Sequence, residues 1–162
     1  MFIYSIRAST LKIIALVCVC LTVLFTISAL DRGTTVYASV GGRTVNYGGI
    51  KTEEDRIKFI EGFGLKVAAE PTEVEEFAMP RDLDRVLLGY NELQKSQGLD
   101  ISKYTRKRVT HYAYEVTNYD CEGKVYVNLL MYRDRIIACD ISSGDPEGFV
   151  LPLSRLDAEK LK

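Results

Sequence analysis

The chain has 162 residues, with 21 Lys and Arg against 22 Asp and Glu and a single His, which gives a formal net charge of −1. Because the chain as a whole is not basic, nucleic acid is not an expected partner. The length is that of one folded domain with a short extension.

Residues 13–30 read IIALVCVCLTVLFTISAL and contain no charged residue. About 20 apolar residues cross a bilayer as a helix, so we predict a transmembrane signal anchor here that holds the chain in the cytoplasmic membrane. Arg7 and Lys12 precede the run, which favours a cytoplasmic N-terminus over residues 1–12 and an extracytoplasmic remainder. The alternative is a signal peptide cleaved near Ala38, which would release a secreted protein.

Residues 31–50 are rich in glycine and poor in large apolar side chains, a composition typical of a flexible tether. We therefore predict that an extracytoplasmic α+β domain occupies residues 51–155 and that residues 156–162 form a C-terminal tail.

Two amphipathic helices are predicted in the first half of this domain. Thr52 and Asp55 resemble an N-cap with an acidic first turn, and Gly64 ends that helix. Pro80 fits the first turn of the second helix, and Gly98 fits its left-handed C-terminal residue. The second helix carries an apolar stripe of Leu83, Val86, Leu87, Tyr90 and Leu93.

Short strands are predicted at residues 65–70 and 73–79, on either side of Pro71. Three further segments are rich in Val, Ile, Tyr and Thr and predict an antiparallel meander. They are residues 108–117, 124–132 and 135–142.

A strand register follows if Thr117 faces Lys124 and Tyr132 faces Arg135. One sheet face then carries Tyr112, Tyr114, Val116, Val125, Val127, Leu129, Met131, Ile136 and Ala138. The other carries Val109, His111, Ala113, Glu115, Tyr126, Asn128, Leu130, Tyr132, Ile137, Cys139 and Ile141. The second face is also too apolar to be left in water, and its cover could be the N-terminal helix with its strands, a second protein or the membrane surface.

Reactive groups are few. His111 and Cys139 could in principle form a nucleophile pair, but this register puts them two strands apart, beyond hydrogen-bond reach. The same separation of strands predicts that Cys121 and Cys139 are free thiols. Neither a Cys-x-x-Cys nor a His-x-x-His spacing occurs, so we expect no metal site and no cofactor.

The polar stretch GYNELQKSQGLDISKY at residues 89–104 has two interpretations. It has the residues of a helix end followed by a turn, with Gly98 and Leu99 forming a Schellman motif and Asp100 capping the next turn. It also offers a recognition patch, for which we select Tyr90, Asn91, Gln94 and Tyr104.

Four stretches together carry a resemblance to a known family: DRIKFIEGFGLKV, GYNELQKSQGLDISKY, YEVTNY and VNLLMYRDRIIACDIS. They resemble the family of domains of unknown function numbered 4830, DUF4830, which is found in membrane-anchored proteins of Firmicutes. The resemblance implies an extracytoplasmic location and a small α+β domain, and it brings no catalytic residues.

The sequence therefore predicts an α+β domain in which two helices pack on a small antiparallel sheet that ends in a three-strand meander, preceded by one transmembrane helix. We expect a non-catalytic binding or sensing module that is not an enzyme, with a protein or peptide as its possible partner. The alternative is a small extracytoplasmic hydrolase or redox enzyme that uses Cys139.

Overall fold

The computed structural model describes residues 37–40, 43–145 and 147–162. The predicted cytoplasmic N-terminus, the signal anchor at 13–30 and the start of the tether lie outside these residues. Within them, no helix is long and apolar enough to cross a membrane.

The described residues form two α-helices and seven strands. These are β1 (Tyr37–Val40), β2 (Arg43–Asn46), α1 (Glu53–Glu61), β3 (Glu73–Ala78), α2 (Arg85–Lys95), β4 (Arg108–Glu115), β5 (Val125–Tyr132), β6 (Arg135–Ser143) and β7 (Val150–Pro152). A short 3-10 turn, Ile101–Tyr104, follows α2. β1 and β2 pair with each other, and the other five strands form an antiparallel sheet in chain order. The α+β class and the β4–β5–β6 meander are confirmed.

Helix α1 begins as predicted. Asp55 N donates to Thr52 Oγ1 at 3.2 Å, and Thr52 N donates to Asp55 Oδ2 at 3.0 Å, which is a reciprocal capping box. Gly64 has a φ of +84°, a left-handed conformation that glycine adopts at little cost. These local bonds explain why this helix could be read from the sequence.

Helix α2 starts later than predicted, because Asp84 and not the residue before Pro80 caps it. Asp84 Oδ1 accepts from Leu87 N at 2.8 Å, whereas Met79 has no side-chain acceptor to offer. The C-terminal prediction is confirmed: Leu99 N donates to Gln94 O and Gly98 N donates to Lys95 O, the two bonds of a Schellman motif.

The predicted apolar stripe of α2 is wrong in part. Val86 is 77% exposed, while the residues of this helix that are fully buried are Asn91 and Gln94. The helix thus turns amide side chains toward the domain interior. One of them, Gln94, forms a hydrogen bond to the edge of the sheet, as described below.

The predicted strand register holds for the β4–β5 pair, where Tyr114 faces Val127, and at the β5–β6 turn, where Tyr132 faces Arg135. Past that turn the pairing shifts, because Met131 faces Ile136 but Leu130 faces Ala138. The extra residue is a β-bulge. The predicted segment at 65–70 contributes only an isolated bridge between Val67 and Val116.

The bulge exchanges side chains between the two sheet faces, since side chains alternate along a strand. Cys139 and Ile141 lie in the first core and Ala138 in the second, the reverse of the predicted assignment. The first core contains Tyr47, Ile50, Ile60, Leu65, Leu99, Tyr114, Val125, Val127, Leu129, Met131, Ile136, Cys139, Ile141 and Leu153. The second contains Met79, Ile101, Val109, Leu130, Ile137 and Ala138, flanked by Leu83, Tyr90, Tyr104 and Tyr132. The apolar part of the second face is therefore covered by the segment from Met79 to Tyr104, which was none of the three covers considered.

Both predicted ends of the domain need correction. Tyr47 is 1% exposed, its ring centroid lies 5.8 Å from that of Phe59, and its carbonyl accepts from Ile136 N at 2.9 Å. The predicted tether is therefore wrong for residues 43–50. At the other end, Leu161 bridges to Tyr119 and packs against the first core, so residues 156–162 are not a detached tail.

Two buried amides close the edge of β6 where β7 does not reach. Cys139 N donates to Gln94 Oε1 at 3.0 Å, and Gln97 Nε2 donates to Cys139 O at 2.5 Å. Gln97 Nε2 also donates to Gln94 Oε1 at 2.7 Å. The side chains of Gln94 and Gln97 thus replace the backbone of a neighbouring strand, so that the buried groups of Cys139 are paired.

We expect Gln94→Ala to lower the free energy of unfolding by about 2 kcal/mol, because it leaves the buried Cys139 N–H without an acceptor. Urea unfolding followed by circular dichroism measures the change. Glu92→Ala, on the exposed side of the same helix, is the control and should change the stability by no more than about 0.5 kcal/mol. Equal effects of the two substitutions would contradict this account of the β6 edge.

Candidate functional site

A polar network lies on the second face of the sheet, beyond the apolar patch that the segment from Met79 to Tyr104 covers. At its centre Asp140, 3% exposed, accepts from Tyr90 Oη at 2.6 Å and from Asn128 Nδ2 at 2.8 Å. Asn128 Nδ2 also donates to Ser142 Oγ at 2.9 Å, and Asn128 Oδ1 lies 3.3 Å from His111 Nε2. Asn128 of β5 therefore contacts His111 of β4 and both Asp140 and Ser142 of β6, and Asp140 extends the network to Tyr90 of α2.

The network shifts the acidity of its members. Burial raises the pKa of the Asp140 carboxyl above its ordinary value of 3.8, while the hydrogen bonds from Tyr90 and Asn128 and the nearby His111 lower it in part. Burial also raises the pKa of the Tyr90 hydroxyl well above its ordinary value, and the Asp140 charge adds to this effect. A buried carboxyl with a raised pKa is costly to keep and marks a candidate functional position.

A groove of about 280 Å³ opens beside this network. It is lined by Thr72, Glu73, Ala113, Tyr126, Asn128 and Ser142. Its wall is thus mostly polar, with one tyrosine ring and one carboxylate that has no ion-pair partner among the described residues. Asn128 belongs both to the groove wall and to the network, so it connects the groove to the buried Asp140 carboxyl.

The thiol considered as a nucleophile is not part of this groove. Cys139 is fully buried in the first core, on the opposite face of the sheet from His111 and Asn128. Burial raises the pKa of the Cys139 thiol well above its ordinary value, and the neighbouring Asp140 charge raises it further. Both described cysteines, Cys121 and Cys139, are free, as predicted. The described residues contain no group of three or more His, Cys, Asp or Glu that could hold a metal ion.

The four residues selected from the sequence occupy different places. Asn91 Oδ1 accepts from Ile101 N and Asn91 Nδ2 donates to Asp100, so Asn91 holds the turn after α2. Gln94 closes the β6 edge. Both side chains are buried, which corrects the prediction that all four form one surface patch.

The two tyrosines of that set keep some accessible surface. Tyr90 reaches Asp140, and the Tyr104 ring lies 5.5 Å from the Tyr132 ring at the far end of the second core. Their involvement in binding stays a prediction. The structure does not bring them together with Asn91 and Gln94 at one surface.

Sequence reasoning missed the residues that form the groove and the network beside it, above all Asn128, Asp140 and Ser142. One signal was available, because polar residues interrupt strands that are otherwise apolar, as Asn128 does in VYVNLLMY. Asp140 could not be assigned to this face without the bulge, which moves it away from the first core.

Comparison with known proteins adds one match. The model of the family described as "Domain of unknown function (DUF4830)" matches residues 59–141. This range runs from α1 into β6 and includes Tyr90, His111, Asn128 and Asp140. No curated protein and no solved structure matches the chain.

The network predicts a specific response to pH. The pKa of Asp140 is higher in the folded chain than in the unfolded chain. Proton binding to Asp140 therefore stabilises the fold fully at a pH below the pKa of the unfolded chain. This stabilisation is lost as the pH rises through the pKa of the folded chain. Tyr90→Phe removes a hydrogen bond to the carboxylate, so it should raise the Asp140 pKa and move the loss of stability to higher pH. Titration of the carboxyl carbon by NMR gives the pKa, with Tyr104→Phe as the control that leaves it unchanged. A pKa that falls or stays constant in Tyr90→Phe would contradict the network.

Proposed function

We propose that this chain, which belongs to the DUF4830 family, is a non-catalytic binding or sensing module held at the outer face of the cytoplasmic membrane by residues 13–30. The family description assigns no activity. The proposal is therefore supported by the groove on the second sheet face and by the charge-free run at the start of the sequence.

The single observation that carries the binding proposal is the polar groove beside a buried carboxyl, which no described residue fills. A sheet face of this kind can be made stable more simply by apolar residues under a covering segment, as the other part of the same face is by the segment from Met79 to Tyr104. Keeping Asn128, Ser142 and Asp140 there instead costs stability. Such a cost is typical of sites retained for a ligand.

The groove chemistry favours a ligand that brings a positive charge and hydrogen-bond donors. Glu73 supplies a carboxylate in the wall, and Ser142 Oγ supplies an acceptor. The Tyr126 ring offers a face on which a cation can lie. A lysine or arginine side chain of a protein or peptide partner has these properties.

Binding without catalysis is favoured because the thiol, hydroxyl and imidazole groups of this region serve packing and structural hydrogen bonds. The Cys139 thiol is in the first core, and Ser142 Oγ accepts a hydrogen bond from Asn128, while no hydrogen bond joins Ser142 Oγ to a base among the described residues. His111 contacts Asn128, which lies between it and Ser142. Neither hydroxyl nor thiol has the neighbouring base that activates a nucleophile.

We expect the groove to bind a free lysine derivative. In the full chain in nonionic detergent micelles, N-acetyl-lysine methylamide should shift the NMR signals of Asn128 and Tyr126, because its ammonium group can approach Glu73. The glutamate analogue should leave these signals in place.

Ser142→Leu, which fills the groove, should abolish the shifts caused by the lysine derivative. Ser96→Leu is the matched control, since Ser96 lies at the exposed end of α2, and it should retain them. Equal shifts with both derivatives, or shifts that persist in Ser142→Leu, would exclude the groove as a cation site.

Location and chemistry can be tested together with the cysteines. On intact cells that express the full chain, a membrane-impermeant maleimide should modify Cys121, which is partly exposed, and should leave the buried Cys139 unmodified. Mass spectrometry of the digested protein identifies the modified residue.

The control is Cys121→Ser, which should remove the modification. If Cys121 reacted only after the cells were opened, an extracytoplasmic domain would be excluded. If Cys139 reacted as fast as Cys121, the thiol would be accessible and ionised, and the enzymatic alternative would be favoured.

A further inference from the structure

β3 is an outer strand of the sheet with one open edge. Within the part of the chain that the structure describes it pairs only with β4, and Met79 N donates to Lys107 O just past the end of this pairing. Hydrogen-bonding pairs alternate along an antiparallel ladder. The backbone N–H and C=O groups of Val74, Glu76 and Ala78 therefore point away from β4, and no hydrogen bond joins them to another described residue.

The other outer edges of this sheet are closed or short. Gln94 and Gln97 cover part of the β6 edge, and the three-residue strand β7, which ends at Pro152, covers another part. β3 by contrast has six residues, and every one of them is exposed. A row of unpaired backbone groups of this length is a template for another strand.

The charge of β3 restricts what can pair with it. Glu73, Glu75 and Glu76 lie along its six residues, and among the described residues only Glu76 has an ion-pair partner, Arg108 at 3.2 Å. A second copy of β3 would bring these glutamates close to one another, which is unfavourable. A strand with lysine or arginine would instead meet opposite charges.

Apolar contacts are also available at this edge. Val74 is 55% exposed and Phe77 is 36% exposed, and they lie on opposite faces of the sheet because their separation is odd. An incoming strand could therefore find one apolar neighbour on each face in addition to the backbone bonds.

We propose that β3 takes up an extended, basic segment of another protein as a sixth strand of the sheet. Backbone hydrogen bonds to Val74, Glu76 and Ala78 give the affinity, and the glutamates select positively charged side chains, in the manner of β-strand addition. This inference goes beyond the groove described above, because it depends on the backbone of the β3 edge and not on Asn128, Asp140 or Ser142.

The test uses the full chain in nonionic detergent micelles and an acetylated, amidated heptapeptide of alternating lysine and valine. The peptide should slow the exchange of the Val74, Glu76 and Ala78 amide protons and shift their NMR signals. Replacement of lysine by glutamate in the peptide should weaken binding about tenfold or more, because the charges then repel.

Two variants of one residue separate the backbone from the charge. Glu76→Pro removes the outward N–H and should abolish protection at Val74 and Ala78, since proline is tolerated where the N–H faces solvent. Glu76→Ala keeps the N–H and should retain most of the binding. Val150→Pro places the same change on the outer edge of β7 and is the control that leaves peptide binding unaffected.

A second measurement does not depend on how these variants fold. A peptide methylated on alternate backbone nitrogens cannot donate to the edge and should bind about tenfold more weakly than the parent. Equal binding of both peptides, binding that survives Glu76→Pro, or concentration-dependent pairing of two chains through β3 would each overturn the proposal. Ser142→Leu blocks the groove alone, so a loss of lysine-derivative binding with intact peptide binding distinguishes the two sites.

Discussion

The position of Asp140 depends on one extra residue in β6. With an unbroken register from the β5–β6 turn, Asn128 would face Cys139, and the Asp140 carboxyl would enter the first core among Val127, Leu129 and other apolar side chains. A carboxyl there would have no partner to offset its lost hydration. The bulge moves Asp140 to the second face, where Tyr90 and Asn128 donate to it, and moves the small apolar Cys139 side chain into the core in its place. The groove therefore exists because the strand pairing is interrupted between Ile136 and Ala138.

The parts of the fold that could be predicted are those specified by local bonds. The capping box of Thr52 and Asp55, the Schellman end at Gly98 and the two-residue turn before Arg135 each involve residues a few positions apart, and each was found where the sequence placed it. The misassigned features depend on distant partners. Nothing within helix α2 indicates that Gln94 is buried, because its acceptor role is set by the unpaired N–H of Cys139 on another element. The bulge likewise reflects which side chains the two cores can hold, and periodicity alone does not report this.

The two outer regions of the sheet are treated in opposite ways. At β6 the edge is buried, and two glutamines supply the missing hydrogen bonds. They are needed because a backbone N–H or C=O group that is buried without a partner lowers the free energy of unfolding by more than a typical hydrogen bond raises it. At β3, where the edge is exposed, water can satisfy the backbone, and glutamates suffice to discourage pairing with a second copy. The same charges that protect this edge from self-association define the kind of strand that could still add to it.

The groove and the β3 edge adjoin each other without sharing a mechanism. Thr72 and Glu73 line the groove at the start of β3, while Val74, Glu76 and Ala78 present the open backbone further along the strand. A basic segment lying on β3 would direct alternate side chains over the second face, toward Glu73 and Glu75, because side chains alternate across a strand. Its other side chains would pass over Val74 on the first face. The groove would then recognise a side chain, and the β3 edge would recognise a backbone. A partner that bound both would have to be extended as well as basic. Few soluble cations and few folded protein surfaces have both properties.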